Sequence, residues 1–167
     1  MRKTNIEPIL PKNIFSPHLT LFEVSVVEVA RQLTILSFQL FHRINVGDIV
    51  SKEWREQQKI SPHVSALLER TSLLTRWVTS TILQGISIEE RASHIVYFAN
   101  LVEELVKINN FNDAFAIFNG IYSTHVLRLK ETLAKVPEQQ RIVTSQKNKN
   151  VENILTKSMC RLWKDMQ

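Results

Sequence analysis

Between Asn109 and Lys130 the run NNFNDAFAIFNGIYSTHVLRLK crowds helix stops and helix starts so closely that short helices meeting at sharp corners are its natural reading. Asn109 and Asn110 close one helix, because asparagine tolerates the left-handed backbone on which helices end. Asn112 can cap the next, whose buried face is read from Phe115, Ile117, Phe118 and Ile121. Ser123 and Thr124 then open a third. Three helices meet within about twenty residues.

The remainder agrees with a helical chain. Only three glycines and five prolines interrupt 167 residues, which suits long helices with short connections better than a many-stranded sheet. Ser25 with Glu28 has the spacing of a capping box, and Val26, Val29, Ala30, Leu33, Leu36, Leu40, Phe41 and Ile44 recur behind it at helical intervals, predicting a helix over 26–44. VGDIVSKEW reads as a short helix and a loop anchored by Trp54. Ser61 and Pro62 start a second long helix, whose apolar stripe of Val64, Leu67, Leu68, Thr71, Leu74, Trp77, Val78 and Ile82 runs to Gly85. Trp77, on that stripe, is expected to be buried. Ser87 with Glu90 opens another helix with Ile88, Ala92, Ile95, Ala99, Val102 and Val106 inward. HVLRLKETLAKV forms a last helix, halted by Pro137. The fold class is all-α, an irregular multi-helix bundle. Residues 1–19 read as an irregular lead that packs locally, 20–141 as the helical domain, and 142–167 as a basic polar tail, partly helical.

A formal charge of +5 suggests an anionic partner only if the charge is concentrated. Residues 17–137 hold twelve Lys or Arg against twelve Asp or Glu, so the excess lies at the two ends. No nucleic acid partner is expected, because the basic residues form no recognition face; basic ends allow a weak peripheral contact with an anionic membrane. Cys160 is the only cysteine and forms no internal disulfide, which points to a reducing, cytoplasmic setting. The histidines lack ligand spacing, the glycines are too isolated for a phosphate loop, and no nucleophile sits beside a base. Glu89-Glu90 and Glu103-Glu104 fall on polar helix faces as solvated charges. No metal, no cofactor and no covalent catalysis are expected.

The run at 109–130, together with EVARQLTILSFQLFHRI (28–44) and SPHVSALLERTSLLTRWV (61–78), resembles the catalytic domain of Ras-family guanine-nucleotide exchange factors, the RasGEF domain. The similarity covers Leu21 to Arg141. It implies a partner, a Ras-like small GTPase, held more tightly when empty of nucleotide than when loaded, with the nucleotide supplied by the partner. It also implies a groove that clamps the second switch segment of the GTPase. On the motif match Leu68 and Phe115 would form its apolar wall, and Glu69, Ser72, Asn119, Tyr122 and Ser123 its polar contacts. The place of Tyr122 is commonly asparagine in the family, and that of His125 proline. In the family a helical hairpin that pries open the first switch follows further along, and no such segment is found before Gln167, so the sequence reads as a truncated exchange domain with poor release activity. The other reading is a helical module that binds a GTPase or another protein without exchange. The expected location is cytoplasmic, with recruitment to a membrane through the partner.

Overall fold

The structure, a computed structural model, describes residues 7–50 and 61–137. Trp54, Cys160 and the tail 142–167, for which sequence made expectations, lie outside them. After a 3-10 turn at Leu21–Glu23 come α1 (Val26–Phe41), α2 (Val46–Val50), α3 (Pro62–Gln84), α4 (Ile88–Lys107), α5 (Phe111–Ile121), α6 (Thr124–Leu127) and α7 (Lys130–Lys135), with no strand among the described residues. The molecule is an all-α bundle, as composition and periodicity indicate.

Helix α4 is the axis of the bundle. Its Ala92, Ile95, Ala99 and Val102 are buried as the stripe predicts, and Tyr97, Phe98, Leu101 and Leu105 are buried beside them, because α1, α3, α5 and α7 pack on different sides of it. A helix wrapped on most sides is apolar most of the way round. Each fully buried Ile, Leu or Phe here contributes about 1.5–3 kcal/mol of transfer free energy. Arg91 fastens the α3–α4 turn to α7: its guanidinium donates to the carbonyls of Gly85 at 2.9 Å and Ile86 at 3.1 Å, and its Nε to Thr132 Oγ1 at 3.3 Å. Glycine fits this turn closely: a Cβ there would lie 2.8 Å from Arg91 Cγ and 3.1 Å from its backbone nitrogen, so a larger residue would have to displace Arg91.

The structure corrects several local expectations. Helix α1 stops at Phe41, three residues early, with His42 as its C-cap. The Ser25–Glu28 box does not form, because Glu28 instead accepts from the Ile9 backbone N–H, Arg31 and Gln32. That draws the lead onto α1, and Arg31 also reaches the Glu7 carbonyl, so residues 7–19 do not pack only locally. Further along, Phe22 stacks on His94 with centroids 4.0 Å apart, and the Tyr97 hydroxyl lies 3.1 Å from both the Leu21 and Val24 carbonyls, sharing its proton between them. At Ser87 half a box forms: its Oγ accepts from the Glu90 N–H, while Glu90 turns to the Ile86 N–H. The last predicted helix is two short ones, broken between Leu127 and Lys130. Trp77 is not buried but 37% exposed, with one edge against Phe98 at 5.4 Å. Phe41 and Phe115 are exposed too, although both lie on predicted apolar stripes.

The corner after α4 forms as its asparagines require. Asn109 takes a φ of +62°, its N–H donates to the Val106 carbonyl at 3.0 Å, and the Asn110 N–H reaches back to Leu105 at 2.8 Å, a Schellman closure. Asn110, rather than Asn112, then caps α5, its side chain accepting from the Asp113 N–H at 3.2 Å. One residue thus ends a helix and begins another.

Candidate functional site

Helices α3 and α5 share the most intimate interface of the bundle. Thr71, Thr75 and Thr79 recur once per turn on the side of α3 that meets α5. Thr75 Oγ1 donates to the Ala116 carbonyl at 2.9 Å and Thr79 Oγ1 to the Gly120 carbonyl at 3.0 Å, each proton shared with the carbonyl four residues back at 3.1 Å. Asn112 Nδ2 donates to Thr71 Oγ1 at 3.2 Å. The pairings 71–112, 75–116 and 79–120 keep one offset, so the two helices run parallel and in register. Hydroxyls can reach a neighbouring backbone only if the helices nearly touch. Ala116 and Gly120 permit this, for a Cβ on Gly120 would lie 2.7 Å from Val78 Cβ and 2.8 Å from the Thr75 carbonyl.

A buried polar knot locks the near end of this seam. Asp113 is fully buried; Arg70 Nη1 donates to its Oδ1 at 2.6 Å, and Ser37 Oγ and Asn110 Nδ2 donate to its Oδ2 at 2.6 and 2.9 Å. Arg70 also donates to Ser37 Oγ at 2.8 Å, and Asn110 to Thr34 Oγ1 at 2.9 Å. The knot ties α1, α3 and the first turn of α5 together. A paired and fully hydrogen-bonded buried charge fixes geometry more than it adds stability, since desolvation offsets much of the attraction.

Helical periodicity from this fixed register brings four of the seven candidate residues to one outward face. Leu68 and Ser72 lie on the outer flank of α3, and Phe115 and Asn119 on the facing outer flank of α5. Leu68 is 53% and Phe115 39% exposed, so neither is core, and Ser72 Oγ donates to the Leu68 carbonyl at 3.1 Å. Glu69 is exposed further round α3, at the rim. Tyr122 is half-buried, its ring stacked on Phe118 at 4.4 Å, and Phe118 meets Phe115 at 6.5 Å, which makes an aromatic row along α5. Burial pushes the Tyr122 hydroxyl up to about 12, so it is protonated at neutral pH. Ser123 stands at the corner after α5; its Oγ is buried and makes no hydrogen bond among the described residues, so it does not belong to the open face.

Beside this face, Phe38, Phe41, Leu67 and the Asn109–Asn112 corner line an open cleft of about 580 Å³. That lies within the range of ligand-sized pockets, roughly 300–1,000 Å³. Sequence reading missed it, because Phe41 at an i+3/i+4 spacing looks like core when the neighbouring helix is not known. Asp113 was missed for a similar reason: in the first turn of a helix an acid reads as favourable to the helix dipole, and only the register across α3 shows its partner. An apolar, aromatic-floored face with a carboxylate, hydroxyl and amide at its edge can hold a peptide segment by contact and hydrogen bonds. It brings together no nucleophile and base, and among the described residues no three His, Cys, Asp or Glu cluster as a metal would need.

The family model of the RasGEF domain matches residues 28–162 of this chain. Three similar proteins of Dictyostelium discoideum are Ras guanine nucleotide exchange factor P, 42% identical over 137 residues, factor A, 31% over 135, and factor J, 33% over 135. The matches cover 80%, 80% and 79% of this chain but only 9%, 22% and 17% of those proteins. The chain therefore spans less than a quarter of the length of each.

Proposed function

The chain belongs to the RasGEF domain family, and on that premise we propose that the α3–α5 face grips the switch region of a Ras-like small GTPase in guanine-nucleotide exchange signalling. The observation that carries this reading is the parallel register of α3 and α5. It sets Leu68, Ser72, Phe115 and Asn119 side by side on a solvent-facing surface, with Glu69 at its edge. Large apolar side chains left exposed next to polar groups on rigid helices are what a protein-binding patch requires. The floor beneath them is held by hydrogen bonds to backbone and by the Arg70–Asp113 knot, so little ordering entropy is lost on binding. The GTPase brings the nucleotide, and the chain makes no covalent bond. By linkage, a protein that prefers the empty GTPase by some factor weakens nucleotide binding by the same factor. The setting proposed is cytoplasmic, with membrane recruitment through the partner.

Capture of GTPase by the immobilised chain tests this, using empty and nucleotide-loaded forms from a panel of Ras-like proteins. Empty GTPase should be retained in preference to loaded, and Glu69→Lys and Tyr122→Ala should reduce retention while the helical circular-dichroism signal is kept. Equal capture of both forms would mean gripping without exchange. Undiminished capture by both variants would remove the α3–α5 face from consideration.

A further inference from the structure

Helix α3 carries few charges for its length. Between Pro62 and Gln84 the Lys, Arg, Asp and Glu residues are Glu69, Arg70 and Arg76, and Arg70 is turned inward to Asp113. Glu69 and Arg76 are exposed and make no hydrogen bond or ion pair among the described residues. At about 3.6 residues per turn their spacing is nearly two full turns, so the two side chains leave the helix about 20° apart in azimuth and about 10 Å apart along its axis. Ser72 lies between them on the same ridge. A separation of about one Debye length leaves neither charge neutralised by the other.

The register of the seam places Arg76 beside the proposed GTPase face. The pairings 71–112, 75–116 and 79–120 set Arg76 level with Ile117, so Phe115 and Asn119 on the facing helix stand about 3 Å before and after it along the axis. Across the face α5 contributes no exposed charge, since it holds no Lys or Arg and its one acid, Asp113, is buried in the knot. The rim of α3 therefore gives this face its charge, negative at Glu69 and positive two turns on.

We propose that Arg76 is a specificity residue of that face: it takes the carboxylate of an Asp or Glu in the switch segment of the GTPase, and together with Glu69 it fixes which way that segment runs along α3. This rests on the reading of the α3–α5 face given above. A peptide segment laid along the ridge meets opposite charges at its two ends, so a segment with an acid at the Arg76 end is favoured, and the same segment reversed brings that acid to Glu69. Arginine suits the role because its planar guanidinium grips a carboxylate through two parallel N–H donors. A charge at the rim acts chiefly on the rate of association and on its salt dependence.

Capture of empty Ras-like GTPases by the full chain, measured at rising salt for the parent, Arg76→Gln, Arg76→Glu and Tyr122→Ala, tests the assignment. Arg76→Gln should weaken capture severalfold and Arg76→Glu about tenfold, the loss shrinking as salt rises and the helical circular-dichroism signal being kept. Each Asp and Glu in the second switch segment of the captured GTPase is then reversed to Lys in turn. One such change should restore capture by Arg76→Glu and weaken capture by the parent. Capture by Arg76→Glu equal to the parent, with Tyr122→Ala reduced, overturns the assignment of Arg76 and leaves the face as the binding surface. A loss that no reversal restores overturns it too, since the effect is then one of net charge. Undiminished capture by all three variants, or no capture by the parent, removes the face and the assignment together. Should Arg76→Glu lose its helical signal, Arg76→Gln decides: capture equal to the parent at low salt overturns the assignment.

Discussion

Replacing Gly120 by alanine sets two effects of opposite sign against each other. Alanine is the better helix former by about 1 kcal/mol, so local propensity alone predicts a more stable chain. The seam predicts the reverse. A Cβ at 2.7 Å from Val78 Cβ and 2.8 Å from the Thr75 carbonyl is far inside the 3.5–4.0 Å at which carbon atoms attract. Backbone stands on one side, so α3 and α5 must part, and overpacking of this kind costs about 1–3 kcal/mol. Parting also lengthens the hydroxyl bonds from Thr75 and Thr79, each contributing about 0.5–1.5 kcal/mol. The net expectation is a loss of about 2 kcal/mol. Urea unfolding followed by circular dichroism measures it, and Gly47→Ala is the control, because nothing lies within 4 Å of a Cβ built there. Gly47→Ala should be neutral or stabilising. A Gly120→Ala chain as stable as the parent would show that the helices are not held at the distance described, and the register argument for the binding face would fail with it.

Asp113→Ala should cost about 3–5 kcal/mol, because it leaves Arg70 buried without its counter-ion, and Arg70→Met added to it should recover part of that loss in the same urea assay. Asn109→Ala should cost about 1 kcal/mol and Asn109→Gly should not, since the φ of +62° disfavours a Cβ whose side chain cannot bond locally. Burial pushes the Tyr97 hydroxyl from its ordinary value of 10 to about 12, so the folded chain keeps a proton that the unfolded chain releases. That contribution is full below pH 10 and is lost as pH rises through 12; unfolding measured over this window should fall less steeply for Tyr97→Phe, with Tyr122, also near 12, supplying the remaining slope.

The elements were legible where one residue type has one structural use. Ser61-Pro62, Gly85 and the Asn109-Asn110 pair bound their helices in the structure as their chemistry indicates, and the inward row of α4 follows from spacing alone. What spacing cannot give is which side of an apolar helix meets a neighbour. Leu68 and Phe115 occupy stripe positions and still face outward, because α3 and α5 turn their threonines, alanine and glycine toward each other instead; Phe41 on α1 is exposed as well, and Trp77 keeps only one edge against Phe98. Small residues at four-residue spacing carry the signal for that close approach, Thr71, Thr75 and Thr79 against Ala116 and Gly120, but it becomes readable only when the two helices are known to be adjacent. Glu28 shows the same limit in a polar setting: its box spacing is right, and a distant backbone N–H at Ile9 competes for the carboxylate.

The division of labour along α3 has a consequence for how the binding face can vary. Leu68, Glu69 and Ser72 point outward, whereas Arg70, Thr71, Leu74 and Thr75, interleaved with them, carry the knot, the core and the seam. A change at an outward position removes contacts to a partner and leaves the packing beneath, and surface changes of that kind stay within about 0.5 kcal/mol of the parent stability. A change at an interleaved position does the opposite, moving two helices and with them every residue of the face. If the α3–α5 face binds a GTPase as proposed, changes at Leu68, Glu69, Ser72, Phe115 and Asn119 should alter the preference for one GTPase over another while the fold is kept. The relative placement of those residues rests on Arg70, Thr75, Asp113 and Gly120, none of which touches the partner in the arrangement proposed.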